Sequence, residues 1–259
     1  MHFTAIDDAA WASPWRRRHV GEKVFCSLAL IVTVISVPTW PGSFLVAAFA
    51  VALLLGWARI PARALALAAA VPVTFLLGSA FATAISIGRS AADAWWVWGP
   101  FSISPASLAL AGRVLARGIA GTLGVLVLAM TTPIVDLLAW GRKLRISEPL
   151  LEIASLTYAL IFGLVDKTVR MYETMANRLG TAPLGQERRQ RWWDNQAALL
   201  GNAGLRAWRQ SQRLNDGLEL RGFESSLITL APAATLSLPF MITISLAVAG
   251  MVGLSLWIG

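Results

Sequence analysis

The chain has 259 residues, of which 56% are hydrophobic and 14% are charged, and its mean hydropathy is +0.63. Soluble domains average about 25% charged residues, and a globule of this length has too little interior to hide so much apolar surface. The composition therefore argues against a soluble enzyme, a disordered chain and a disulfide-stapled secreted domain. It predicts an all-α integral membrane protein with several spans.

Lys and Arg together number 22 against 14 Asp and Glu, which gives a net charge of +8. In a membrane protein this excess indicates loops that face anionic lipid headgroups, and it does not indicate a nucleic-acid partner. Cys26 is the only cysteine, and His2 and His19 are the only histidines. We therefore expect no disulfide, no metal site and no bound cofactor.

Five segments approach the length of about 20 mostly apolar residues that a transmembrane helix needs. They are residues 24–40, 43–57, 62–88, 105–130 and 230–258. A short turn at residues 38–42 separates the first two, and Pro72 is expected to kink or tilt the third. The chain is thus expected to cross the membrane about five times.

The basic residues of the loops predict the orientation of these spans. They collect in the N-terminal leader, in the second loop and in residues 131–229, whereas the first loop has none. The third loop has one arginine and the run Trp95-Trp96-Val97-Trp98, which is typical of an interfacial aromatic belt. Because positive loops stay inside, the N-terminus is expected in the cytoplasm and the C-terminus outside.

Residues 150–165 are apolar apart from Glu152 but cover only 16 positions, a length more typical of a buried or interfacial helix. If they crossed the membrane, the basic tract that follows would lie outside. We therefore expect this segment on the cytoplasmic side.

Residues 131–229 contain 13 Lys and Arg and 10 Asp and Glu, counted from the sequence. They are expected to form a cytoplasmic domain with two long helices, at about 150–178 and 187–221. Ser147 is suited to cap the first helix, and Pro149 fits its first turn. The leader with four spans (1–130) would precede this domain, and the last span (230–259) would follow it.

The second of these helices carries a stripe of apolar and small residues with alternating steps of four and three, which predicts a face packed against another helix. The residues expected at the crossing are Leu200, Gly204, Ala207, Ser211 and Leu214. The small residues in the middle predict a crossing at close backbone distance. The alternative is an ordinary amphipathic hairpin whose charged side is solvated.

Both long helices are predicted to end on an arginine beside a helix-terminating glycine, in Arg178-Leu179-Gly180 and Leu220-Arg221-Gly222. Arginine in the last turn complements the helix dipole, and glycine permits a left-handed cap. Taken alone, each is only a well-formed helix end. Together they suit docking into acidic grooves of a soluble partner.

Motifs spread along most of the chain resemble those of the transmembrane T component of energy-coupling-factor transporters, most closely the cobalt-transport type called CbiQ. The residues that carry the resemblance are Ile6-Asp7, Lys23, Thr131-Thr132-Pro133, Asp136-Leu137-Leu138, Tyr158, Asp166, Met171, Ala176 to Arg178, and Leu220-Arg221-Gly222-Phe223. The first arginine motif departs from the family pattern, because Asn177 precedes Arg178 and Leu179 follows it.

The resemblance implies a non-catalytic subunit in the inner membrane of a bacterium. Its implied partners are two ATP-binding-cassette ATPases, which hydrolyse the ATP, and a small integral-membrane subunit that binds cobalt or nickel. The two long helices would cross in an X with their tips in grooves of the ATPases. The implied coupling residues are Ala176, Asn177, Arg178, Leu220, Arg221 and Gly222.

Three alternatives remain open from the sequence. The first is a T component that serves vitamin-binding subunits. The second is an intramembrane enzyme with Arg113, Arg117 and Asp136 in a polar site, although the sequence shows neither a nucleophile–base pair nor a phosphate-binding loop. The third is a membrane scaffold that holds acidic lipid or protein through its basic insertion.

Overall fold

The computed structural model describes residues 2–37, 39–87, 96–98, 101–179, 188–222 and 236–258. The chain divides into two compact units. The first, here called the bundle unit, comprises Met1–Leu137 and Ala231–Gly259, and the second, the helix-pair unit, comprises Leu138–Leu230.

Helices form nearly all of the described chain. In chain order they are α1 (His2–Ala12), a 3₁₀ turn (Pro14–Arg17), α2 (Val20–Ser36), α3 (Trp40–Ala52) with a π-helical continuation (Leu53–Trp57), α4 (Ala62–Ala84), α5 (Pro105–Ala129), α6 (Ile134–Lys143), α7 (Glu148–Leu179), α8 (Arg188–Glu219) and α9 (Leu238–Ile258). The predicted fold class, an all-α membrane protein, is confirmed.

The core of the bundle unit lies around α5, which packs against α2, α3 and α4, while α9 packs against α2 and α3. Leu30, Leu54, Val127, Met130 and Ile244 are among its fully buried side chains. Burial of this apolar surface between helices, together with their close packing, holds the bundle together.

α2 runs antiparallel to α5 along its whole length. At one end Lys23 Nζ donates to the Thr131 carbonyl at 3.0 Å, in the middle Ser27 Oγ donates to the Gly124 carbonyl at 2.8 Å, and at the other end Arg117 donates to the Val37 carbonyl at 2.9 Å. Buried polar groups need such partners, because an unpaired donor or acceptor away from water is costly.

Five helices of the described chain are long and apolar enough to span a membrane, which matches the expected number but not the expected set. They cover Trp40–Trp57, Ala62–Ala84, Pro105–Ala129, Glu148–Thr174 and Leu238–Ser255. The first predicted span corresponds to α2, which has only 17 residues and is absent from this set. Residues 150–165, predicted too short to cross, belong to a longer apolar helix.

The expected turn at residues 38–42 is shorter in the structure. α2 ends at Ser36, and α3 begins at Trp40 with Thr39 as its N-terminal cap. Pro41 occupies the first turn of α3, where its missing N–H costs no hydrogen bond. Placing the first span up to residue 40 and the second from residue 43 was therefore wrong.

The third span also ends earlier than predicted. α4 stops at Ala84, and the chain continues into β1 (Ser86–Ile87). β1 pairs antiparallel with β3 (Phe101–Ile103), which pairs in turn with β2 (Trp96–Trp98), in the order β1-β3-β2. The tryptophans at 96 and 98 thus lie on a strand that the aromatic-belt interpretation did not foresee.

α5 begins with a reciprocal cap between Ser104 and Ser107, and the Ser107 hydroxyl also donates to the Ala84 carbonyl at 2.8 Å. The start of α5 is thereby tied to the end of α4.

At the other end of the chain α9 begins at Leu238 with Pro239 in its first turn. The earlier part of the predicted last span, residues 230–235, lies outside the described residues.

The helix-pair unit contains α7 and α8, which have 32 residues each and contact one another. At about 1.5 Å rise per residue each is about 48 Å long. α7 starts at Glu148 with Pro149 next in its first turn, as the Ser147-Glu148-Pro149 signal predicted. The short helix α6, which enters this unit, was not predicted.

Candidate functional site

The C-terminal end of α8 presents an exposed apolar side chain beside an exposed arginine. Leu220 is 89% exposed, and Arg221 is also exposed. The amide of Gly222 donates to the Glu219 carbonyl at 3.0 Å, and Gly222 has φ +68°, a left-handed conformation that glycine adopts without strain. This turn holds the Leu220-Arg221 pair at the helix tip.

A shallow concavity of about 250 Å³ lies along the last turns of α8, and two guanidinium groups contribute to its wall. Its lining residues are Gln210, Arg213, Leu214, Gly217, Leu218 and Arg221. Guanidinium groups bind carboxylates and carbonyl oxygens through paired N–H donors. This end of α8 is therefore suited to an acidic protein surface.

The end of α7 carries the other predicted coupling residues. Arg178 lies in the last turn of the helix, which ends at Leu179, and Asn177 is exposed. The side chains of Ala176 and Arg178 and the whole of Gly180 lie outside the described residues. The role of the first arginine motif stays a prediction.

A cavity of about 460 Å³ separates α7 and α8 near the middle of each helix. Gly204, Ala207 and Ser211, three of the five residues expected at the crossing, line it from α8. A Cβ added to Gly204 would meet no atom within 4 Å. The small residues therefore border open space, and the close backbone approach expected at this position stays a prediction.

The buried positions of α8 lie on a neighbouring face of the helix. Leu199 and Ala203 are 9% and 7% exposed, whereas Leu200 is 67% exposed, and Leu214 is half-buried. The sequence analysis did not single out Leu199 and Ala203. Their spacing of four was visible, but periodicity alone does not choose between two overlapping apolar stripes on one helix.

A second polar cluster lies inside the bundle unit, and several residues of the resemblance motifs meet in it. Lys23 is 0% exposed and donates to the Thr131 carbonyl, while Asp136, 5% exposed, lies 3.6 Å from Arg16 between Oδ2 and Nε. Lys23 precedes the apolar segment that begins at Val24.

The neighbouring Glu22 is 1% exposed and connects the same turn of α2 to the start of α9. Its carboxylate accepts a hydrogen bond from the Ser237 amide and lies 4.0 Å from the Arg18 guanidinium. Phe240 packs edge-on against Trp15 with 5.6 Å between ring centroids, and Arg18 stacks over Phe240 at 4.5 Å. Glu22 and Trp15 are not among the site residues predicted from the sequence.

The structure does not assemble the polar site that an intramembrane enzyme would need. Arg117 donates to the Val37 carbonyl near one end of α2, whereas Asp136 lies with Lys23 near the other end. Lys23 and Val37 are 14 residues apart, which corresponds to about 21 Å along a helix. Arg113 is exposed on α5.

Within the described residues no group of three or more His, Cys, Asp and Glu is placed to hold a metal ion. The Nδ1 atom of His19 accepts a hydrogen bond from the Gly21 amide at 3.0 Å and thereby caps α2. The side chain of His2 lies outside the described residues.

A family model described as CbiQ, cobalt transport protein, matches residues 12–233. The chain belongs to the CbiQ cobalt transport protein family. Together with the five apolar helices, this membership makes it a multi-pass membrane protein that takes part in cobalt transport.

Several curated proteins are similar to this CbiQ family member. The cobalt transport protein CbiQ of Rhodobacter capsulatus is 33% identical over 251 residues, which cover 96% of this chain and 97% of the relative. An uncharacterized protein of Methanocaldococcus jannaschii is 25% identical over 95% of this chain and 90% of its own length. A putative fused cobalt transport protein CbiMQ of Methanocorpusculum labreanum is 28% identical over 68% of this chain and 30% of its own length.

Proposed function

We propose that this chain is the transmembrane coupling subunit of an ATP-driven cobalt importer. Two cytoplasmic ATP-binding-cassette ATPases would hydrolyse ATP, and a small integral-membrane subunit would bind the metal ion as substrate. The chain itself would catalyse no reaction. It would transmit the movement of the ATPases to the substrate-binding subunit.

The observation that carries this proposal is the tip of α8. At this tip Leu220 is 89% exposed and lies next to the exposed Arg221. An apolar anchor beside a guanidinium group is a combination that binds well in a protein groove lined by carboxylates. Leu220 and Arg221 would dock one ATPase, and Arg178 would dock the other.

Membership in the cobalt transport family favours cobalt over a vitamin as the transported substrate. The name of the relative from Methanocorpusculum labreanum, a fused cobalt transport protein CbiMQ, supports a second protein that works together with the CbiQ part. In our proposal that second protein is the substrate-binding subunit in the membrane.

In the proposed topology the N-terminus lies in the cytoplasm of a bacterium and the protein sits in its inner membrane. α2, α3, α4, α5 and α9 would cross, and residues 131–229 would form the cytoplasmic coupling domain. The antiparallel contacts between α2 and α5 support a crossing by α2 despite its 17 residues. α7 would lie at the cytoplasmic surface, because otherwise the basic residues of α8 would be outside.

The mechanism we propose begins when ATP closes the ATPase dimer. The tips of α7 and α8 would then approach one another and change the angle at which the helices cross. The cavity between these helices leaves room for such a change. The substrate-binding subunit would follow this movement and reorient in the membrane.

Affinity purification from mild detergent followed by mass spectrometry tests the proposal. The wild-type chain is expected to retain nucleotide-binding subunits and a small membrane protein, while Arg221→Glu should lose most of the ATPase because it places a carboxylate against an acidic groove. Arg178→Glu should act in the same direction.

Arg209→Glu is the matched control, since Arg209 is exposed on the same helix but lies away from both cavities. It should retain the ATPase. Recovery of wild-type protein without any ATPase, or equal loss in Arg209→Glu and Arg221→Glu, would contradict the proposal.

A further inference from the structure

The chain leaves the bundle unit after Leu137 and returns to it at Ala231. The described helix at the first of these points is α6, and the first helix described after the second point is α9. Both segments are bound to the same short stretch of chain, from the 3₁₀ turn to the first turn of α2. We call this set the leader clamp; its residues are Trp15, Arg16, Arg18, Glu22 and Lys23.

The clamp contacts the start of α6 through charged groups. Arg16 lies 3.6 Å from the Asp136 carboxylate in the first turn of α6, and Lys23 donates to the Thr131 carbonyl three residues before α6 begins. Asp136 and Lys23 are 5% and 0% exposed. Separating either pair would leave a charged or polar group buried without its partner, which is strongly unfavourable.

The clamp contacts the start of α9, the first helix described after Ala231, through one hydrogen bond and an aromatic contact. Glu22 accepts from the Ser237 amide, directly before α9, and Trp15 packs edge-on against Phe240 in the first turn of α9. Arg18 bridges the two interactions, since it lies 4.0 Å from Glu22 and 4.5 Å over the ring of Phe240.

These contacts join the start of α6 and the start of α9 to the start of α2. A displacement of α6 or α9 relative to α2 would separate the buried charged groups of Asp136, Lys23 or Glu22 from their polar partners, and charged groups in such surroundings have few alternative partners. Movement of α6 or α9 is therefore transferred to α2. It reaches α5 through α2, because α2 and α5 are paired along their length.

We propose that the leader clamp transmits movement of the helix-pair unit to the bundle unit, so that its residues act as positioning residues for transport. This inference rests on the proposed coupling function. It predicts that a weakened clamp lets the assembled complex hydrolyse ATP with less substrate transported per ATP.

The test compares the complete transporter, purified with its ATPases and substrate-binding subunit and reconstituted in liposomes, for wild type, Asp136→Asn and Glu22→Gln. Both substitutions keep the shape of the side chain and remove its charge. ATPase copurification and ATP hydrolysis per complex should stay close to wild type. Uptake of Co²⁺ per ATP hydrolysed should fall about threefold to tenfold.

Asp166→Asn is the matched control, because Asp166 forms an exposed ion pair with Arg170 on α7 at 3.1 Å. It should leave uptake per ATP unchanged. Arg16→Lys keeps the positive charge and should retain most of the coupling, and the reversed pair Arg16→Glu with Asp136→Arg should recover part of what Arg16→Glu alone loses.

Normalising both activities to assembled complex separates coupling from folding. Wild-type uptake per ATP in Asp136→Asn and Glu22→Gln would overturn the clamp and leave the coupling function intact. A loss of ATPase and uptake in the same proportion would also overturn it, since that result indicates a structural role. Absence of ATPases from the wild-type preparation would overturn the coupling function and the clamp together.

Discussion

The bundle unit and the helix-pair unit are both built from long helices, but they bury their side chains to different extents. Most of the buried hydrophobic residues of the described chain lie in the bundle unit, whereas the helix-pair unit contributes Leu151, Leu199 and Ala203. The central bundle helices α3 and α5 have 33% of their span windows buried, whereas α4 at the edge of the bundle has 6%, the same share as α7.

This difference indicates that the two units depend on different surroundings. The bundle is held by contacts within its own chain, so substitutions there should change the free energy of unfolding. α7 and α8 leave most of their surface for lipid or for other subunits, so substitutions there should change binding. Equivalent substitutions in the two units test this distinction.

The largest expected effect comes from replacing one tryptophan in each unit by alanine. Trp15 is 5% exposed and packs against Phe240, so Trp15→Ala should lower the free energy of unfolding by about 3–5 kcal/mol. Trp208 is 67% exposed, and Trp208→Ala should change it by less than about 0.5 kcal/mol. Thermal unfolding in mild detergent measures both, and equal losses would refute the distinction between the units.

An added methyl group should change the free energy of unfolding in opposite directions in the two units. At Gly42 a Cβ would lie 2.3 Å from Val37 Cγ1 and 2.9 Å from Ser255 Cβ, so Gly42→Ala should destabilise the bundle by about 1–3 kcal/mol. At Gly204 a Cβ would meet open space, and Gly204→Ala should stabilise α8 by up to about 1 kcal/mol. The midpoint of thermal unfolding should fall for the first variant and rise or stay constant for the second.

The smallest contrast concerns single hydroxyl groups. Ser27 is 3% exposed and donates to the Gly124 carbonyl at 2.8 Å, so Ser27→Ala should cost about 0.5–1.5 kcal/mol. Ser211 is exposed at the cavity between α7 and α8, and Ser211→Ala should be close to neutral. Chemical denaturation of both variants in the same detergent provides the comparison. A cost at Ser211 equal to that at Ser27 would contradict it.

The sequence was sufficient to predict the helices whose signals are local. The apolar length of α5 and the Ser-Glu-Pro start of α7 depend on neighbouring residues only. α5 begins at Pro105 as predicted, and α7 begins at Glu148, two residues before its predicted start at about 150. The strands beside α4 and the short helix α6 were missed. Two or three residues in a strand give too weak a periodicity to recognise.

The candidate sites were predicted unevenly for a related reason. The exposed tip of α8 follows from a local motif, Leu220-Arg221-Gly222, and could be read from the chain. The leader clamp could not, because its contacts join residues far apart in sequence: Lys23 and Thr131 are separated by 108 positions, and Glu22 and Ser237 by 215. The resemblance motifs contained Lys23, Thr131 and Asp136 but gave no indication that they meet.

The contact between Glu22 and Ser237 also has a consequence for biosynthesis. The acceptor leaves the ribosome 215 residues before its donor. Until α9 is inserted, Glu22 has no amide from that helix to bind and Trp15 has no Phe240 to pack against. Nascent chains that stop short of α9 would therefore expose an acidic group and a large indole ring that the folded subunit buries.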